Sequence, residues 1–144
     1  MITKLLNEMY RENIQIIEKE GKTKLIYELG ALNIEMKKRI LDNKTELLKR
    51  IRENATARKA GLLVYNHGEF YEYQYGKRAF LYIERQSDGT VNVWRENYLP
   101  DHNDPYKVKV VAKGVSFERG LKEAEGFIRW LGRERNGKYA IKRR

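Results

Sequence analysis

Carboxylates on neighbouring strands offer this sequence its most direct route to chemistry. Glu84 and Gln86 are two residues apart, so a strand directs both to one side, and Glu72 falls on the strand before. Acidic side chains placed that way can hold a divalent cation, and bound magnesium or manganese turns water into a nucleophile. Magnesium or manganese would be the cofactor of such a site, with Glu72 and Glu84 as its metal ligands and Gln86 beside them. No other cofactor is expected. The same letters also fit exposed glutamates balancing Lys and Arg across strands. Other catalytic material is scarce. There is no cysteine, which excludes disulfides, thiol nucleophiles and thiolate zinc modules. Histidine occurs only as His67 and His102, and serine only as Ser87 and Ser116.

These carboxylates fall on strands that follow a helix bearing Glu53 and precede a final helix, and helix, three strands, helix is also the order of one nuclease family. In that order the segment resembles the PD-(D/E)xK nucleases. The family sets an acid on one strand and acid-x-Lys on the next, which implies metal-dependent cleavage of nucleic acid. This chain has Glu72 for the usual Asp and Gln86 for the usual Lys, with Lys77 and Arg85 as the cations nearby. Two shorter matches lead nowhere. Asp101-His102-Asn103-Asp104-Pro105 resembles the start of the HNH nucleases, but no histidine follows His102 to complete a metal site. Gly132 to Lys138 has P-loop spacing, yet a helix precedes it and Tyr139 follows where Ser or Thr is needed.

The elements that must position these residues follow from hydrophobic period. The chain of 144 residues has the length of a single domain of α+β class. Residues 1–59 read as helical, either a hairpin or three helices. Ile2, Leu5, Leu6, Met9, Ile16 and Ile17 form one stripe, ended by Gly21. Leu25, Leu29, Leu32, Met36 and Ile40 form a second, and Leu47, Leu48, Ile51 and Ala55 a third. Asn43 with Glu46 suggests a capping box and a helix restart; the alternative is one helix from Thr23 to about Arg58. A helix-turn-helix laid on Leu25 to Leu41, with its turn at Leu32-Asn33-Ile34, places Arg39 where an apolar residue belongs.

Residues 60–113 switch to a period of two and predict a roughly five-stranded antiparallel meander. A type I turn at Ser87-Asp88-Gly89, with Gly89 left-handed, sets Gln86 opposite Thr90, Tyr82 opposite Trp94 and Glu84 opposite Asn92. A helix follows over 114–134, and 135–144 is predicted to be a basic tail.

That register leaves one sheet face with Phe80, Tyr82, Glu84 and Gln86 beside Asn92, Trp94 and Glu96. By alternation the same face is expected to hold Phe70, Glu72 and Gln74, together with Lys107 and Lys109. Aromatic rings interleaved with cations suit stacked bases and tracked phosphates. The alternative is that helices cover this face and the rings are ordinary core.

Thirty Lys and Arg against twenty Asp and Glu leave a net charge of +10. Half of that excess falls after residue 115, where Arg133, Arg135, Lys138, Lys142, Arg143 and Arg144 gather. Such a distribution is an electrostatic footprint for phosphate. The expected function is therefore nucleic-acid binding without catalysis, DNA or RNA. Its expected site residues are Phe80, Tyr82, Trp94, Lys107, Lys109 and the six cations just named. Metal-dependent cleavage is the alternative, and a structural or regulatory role, with homo-oligomers formed through the N-terminal helices, is the third. No membrane span is expected, because the longest stretch free of charged residues is only Ala60 to Gly68. An intracellular, cytoplasmic location is expected, and the Lys, Glu and Ile content leans toward a thermophilic source.

Overall fold

The computed structural model describes residues 1–142. Helix α1 (Ile2–Arg11) leads into strands β1 (Gln15–Lys19) and β2 (Lys22–Ile26), then helices α2 (Ile34–Asp42) and α3 (Lys44–Lys59). Strands β3 (Leu63–Tyr65), β4 (Phe70–Gly76), β5 (Ala79–Arg85), β6 (Val91–Asn97) and β7 (Lys107–Val115) follow, and α4 (Phe117–Lys142) closes the fold. The five later strands form one antiparallel sheet in the order β3-β4-β5-β6-β7. The fold is α+β, with the expected meander and C-terminal helix.

Two expectations for the N-terminal part are corrected. Ile16 and Ile17 do not extend a helical stripe; they lie in the β1–β2 hairpin, where Ile16 pairs with Leu25. Ile14 and Ile16 are buried with Gln15 exposed between them, a period of two that suits β-branched side chains. Glu20 and Gly21 both have positive φ, 53° and 75°, the geometry that closes a two-residue hairpin. A single helix from Thr23 to Arg58 is likewise absent, and the helix-turn-helix layout falls with it. Leu29 stands fully exposed in the loop before α2. Helix α2 starts where Asn33 Oδ1 accepts from the Met36 amide at 2.7 Å. Asn43 ends it, donating its side-chain amide back to the Arg39 carbonyl, while its own carbonyl begins α3. The helix does restart there, but without the expected capping-box bond.

Buried apolar side chains fall into two clusters. One joins Leu5, Leu6 and Met9 of α1 to Ile14, Ile16, Ile40, Leu47 and Leu48. The other packs Tyr71, Leu81, Ile83, Val91 and Val93 of the sheet against Phe117, Leu121 and Ala124 of α4, with Ala57 and Leu62. Helix α3 serves both. Its Leu47 and Leu48 enter the first cluster and its Ala57 the second. Polar residues fill the space between. Asn54 accepts from the Tyr71 hydroxyl at 2.6 Å and donates to the His67 carbonyl at 3.1 Å. Arg50 donates to the same carbonyl at 3.2 Å and to Thr3 Oγ1 at 2.9 Å.

The β5–β6 hairpin forms in the expected register, with Tyr82 opposite Trp94 and Glu84 opposite Asn92. Gly89 takes φ 86°, the Gly89 amide donates to the Gln86 carbonyl, and Gln86 to the Thr90 carbonyl. Helix α4 runs on to Lys142, so Arg135, Lys138 and Lys142 belong to a helical backbone and not to a tail. No proline interrupts residues 133–142, and Gly137 is the one glycine among them. Arg143 and Arg144 lie outside the described residues.

Candidate binding surfaces of the sheet

The two faces of the sheet have opposite characters. Helix α4 lies on one of them, close enough that a Cβ on Gly120 would meet Val91 Cγ2 at 2.5 Å. The other face is open. Register divides it into three rows across the strands. Leu63, Glu72, Tyr82, Trp94 and Val110 make the first, and Tyr65, Phe70, Glu84 and Asn92 the second. Gln74, Phe80, Glu96 and Val108 make the third.

Rings dominate the centre of this open face. Phe70 and Tyr82 lie 5.1 Å apart, Tyr82 and Trp94 5.5 Å, and Phe80 stacks on Tyr82 at 5.8 Å with planes 4° apart. These rings belong to neither buried cluster. Leu63, Tyr65, Val108 and Val110 around them are all exposed. The alternative in which helices cover this face does not hold.

Each row also holds one glutamate. Glu96 accepts from Trp94 Nε1 at 2.9 Å and from the Tyr98 hydroxyl. Glu72 accepts from the Tyr65 hydroxyl at 3.3 Å, and Glu84 from Gln86 Nε2 at 3.2 Å. Burial raises the Tyr82 hydroxyl well above the usual tyrosine range, and Tyr98, Glu96 and Glu72 push it the same way. None of the three rows contains Lys or Arg.

Lys107 and Lys109 are therefore not where alternation was expected to put them. Lys109 pairs with Arg95 and Lys107 with Asn97, which sets both lysines on the face that bears α4, while Val108 and Val110 take the open side. From Trp94 to Asn97 the β6–β7 pairing is regular, and its register is set across the long loop before β7, not by the β5–β6 hairpin. On the α4 side Arg95 lies over the Phe127 ring at 4.4 Å. Arg119, Lys122, Arg129 and Arg133 recur at three-, seven- and four-residue spacing and are all exposed. They line the side of α4 opposite Phe117, Leu121, Ala124 and Ile128. Charge counted over the whole segment after residue 115 does not resolve this stripe, which only the helical spacing of α4 brings out.

The carboxylate site is more dispersed than the sequence suggested. Glu72 faces Tyr82, and Glu84 faces Phe70, so the two acids occupy adjacent rows and not one pair. Glu53 is turned away, paired with Arg85 at 3.2 Å in the polar layer under the sheet. Arg85 is thereby engaged on the opposite face from Glu84. His102 sits in the exposed loop between β6 and β7, with Nδ1 2.8 Å from the Pro100 carbonyl. Among the described residues no three His, Asp or Glu side chains gather closely enough to hold a metal ion. No helix among them is long and apolar enough to cross a membrane.

No protein-family model, no curated protein and no solved structure matches the chain.

Proposed function

We propose that this protein binds nucleic acid through the side formed by β7 and α4. One observation supports the reading above the others. Residues 107–142 hold ten Lys and Arg against four Glu, so two neighbouring elements account for most of the net charge of the chain. Lys107, Lys109 and Lys113 are exposed on an edge strand, and the stripe Arg119, Lys122, Arg129 and Arg133 is exposed on the helix beside it. Cations spread along a helix and a strand suit the repeated charges of a phosphate backbone. Arg135, Lys138, Lys142, Arg143 and Arg144 add further positive charge to the same stretch of sequence. This reading assigns affinity to phosphate contacts and names no base sequence.

The test is binding to duplex DNA, single-stranded DNA and RNA, each at several salt concentrations. Replacing Lys107, Lys109, Arg129 and Arg133 together by Gln is expected to weaken binding to every polymer. On duplex DNA each lost contact should reduce the slope of log affinity against log salt by about 0.9. A slope equal to that of the wild type would overturn the assignment. Incubating the same polymers with magnesium and with manganese tests the alternative, cleavage at Glu72 and Glu84.

A further inference from the structure

The open face poses a separate question, because it is apolar, aromatic and acidic on a chain that is otherwise basic. Contiguous exposed apolar surface on a sheet marks a docking site. Phe70, Phe80, Tyr82 and Trp94 supply flat rings, while the exposed Leu63, Tyr65, Val108 and Val110 flank them. Phosphate is a poor occupant, since the three rows hold three carboxylates and, among the described residues, no cation to meet it.

We infer that this face docks an extended cationic polypeptide segment with Lys or Arg at every second residue. Charge complementarity and spacing point to that occupant. An extended chain repeats its side chains on one side every roughly 7 Å, which is also the step between rows of the sheet below it. A segment lying along β5 would bring successive cations over Glu96, Glu72 and Glu84, one to a row. Guanidinium and ammonium groups are attracted to faces of aromatic rings, and their methylene stems cover apolar surface. Glu84 is the most available acceptor, being exposed and, among the described residues, bonded only by its near neighbour Gln86. The partner so defined is a Lys- or Arg-bearing strand of another protein. This inference is independent of the phosphate contacts assigned to β7 and α4.

A ten-residue peptide alternating Arg and Ser is a suitable probe, labelled and titrated with the full chain while its anisotropy is followed. Binding is expected in spite of the like net charges, and an alternating Glu-Ser peptide should not bind. Joint replacement Glu72→Gln and Glu84→Gln should weaken the Arg-Ser peptide about tenfold. Trp94→Ala, read by anisotropy of a labelled peptide, should weaken it by a similar factor. The variant lacking Lys107, Lys109, Arg129 and Arg133 should bind the peptide at least as well as the wild type. Three results would overturn the inference. They are absence of peptide binding, indifference to the glutamate changes, and a concentration-dependent dimer abolished by Trp94→Ala. Oligo(dT) binding that Trp94→Ala removes and the β7–α4 variant retains would assign the face to single strands instead.

Discussion

Arg85 on β5 reaches Glu53 on α3 at 3.2 Å, with only 8% and 13% of the two side chains exposed. The same guanidinium donates to the Gly68 carbonyl at 2.8 Å and to the Tyr71 hydroxyl at 3.0 Å. One side chain thus satisfies three acceptors in the layer between the two apolar clusters. Arg85→Met removes all three bonds and strands the Glu53 charge. It should lower the unfolding free energy by about 3 kcal/mol, read from urea melts. Adding Glu53→Leu should recover part of that loss, because the uncompensated charge is then gone. If Arg85→Met were as stable as the wild type, the pair would have to be solvated.

Gly68 is enclosed by the same layer. A Cβ there would lie 2.4 Å from Asn54 Oδ1, 2.7 Å from the Tyr71 hydroxyl oxygen and 2.8 Å from Arg50 Cδ, on a backbone with φ 99°. Gly89 has a similar φ, 86°, but nothing within 4 Å of the added atom. Gly89→Ala should therefore cost about 1–2 kcal/mol, the conformational penalty alone. Gly68→Ala should cost clearly more, since three polar partners must move as well. Equal thermal midpoints for the two variants would contradict the crowding around Gly68.

His67 makes stability depend on pH. Burial lowers its pKa below the ordinary 6.5, and the charges of Arg58 and Arg50 add to the shift. Between 6.5 and the lower folded value the unfolded chain binds the proton more tightly, so unfolding gains as pH falls. This contribution is complete above the unfolded pKa and is lost as pH drops through the folded one. Thermal midpoints taken from about pH 7.5 to about pH 5 should decline. His67→Asn should flatten that decline, and Asn tolerates the residue's left-handed φ of 53°. A variant with an unaltered decline would assign the effect to other groups.

Two apolar residues that share a predicted stripe should respond in opposite ways. Ile40 is fully buried under α1 and α3, and Ile40→Asp should unfold the N-terminal half or cost about 3 kcal/mol or more. Leu29 lies in the loop with its side chain in solvent, and Leu29→Asp should stay within about 0.5 kcal/mol of the wild type. Circular dichroism melts of the pair decide the point.

That contrast shows what kind of information the residues expressed openly. The sheet was legible because Leu81, Ile83, Val91 and Val93 alternate cleanly on either side of Ser87-Asp88-Gly89, where a left-handed Gly89 keeps all four on one face. The β1–β2 hairpin was not. Its strands are five residues each, and Ile16 and Ile17 fall at spacings that continue the stripe of Leu5, Leu6 and Met9. The aromatic half of the open face followed from one register, whereas Lys107 and Lys109 depended on a second pairing across a long loop. Nothing local determines that pairing. Arg50, Glu53 and Asn54 carry no apolar period that would mark the side of α3 they occupy, and only the folded arrangement turns them inward.

Helix α3 has a consequence for how the molecule opens. Its Leu47 and Leu48 are held by one apolar cluster, its Ala57 by the other, and its Arg50, Glu53 and Asn54 by the bonds between. Fraying of α1 or of the β1–β2 hairpin leaves the last turns of α3 anchored to the sheet. Loosening of α4 leaves its first turns anchored to the N-terminal cluster. Amide hydrogens of Leu47 to Ala57 should consequently exchange with deuterium only through global opening. Those of the hairpin should exchange through smaller excursions that leave the sheet intact.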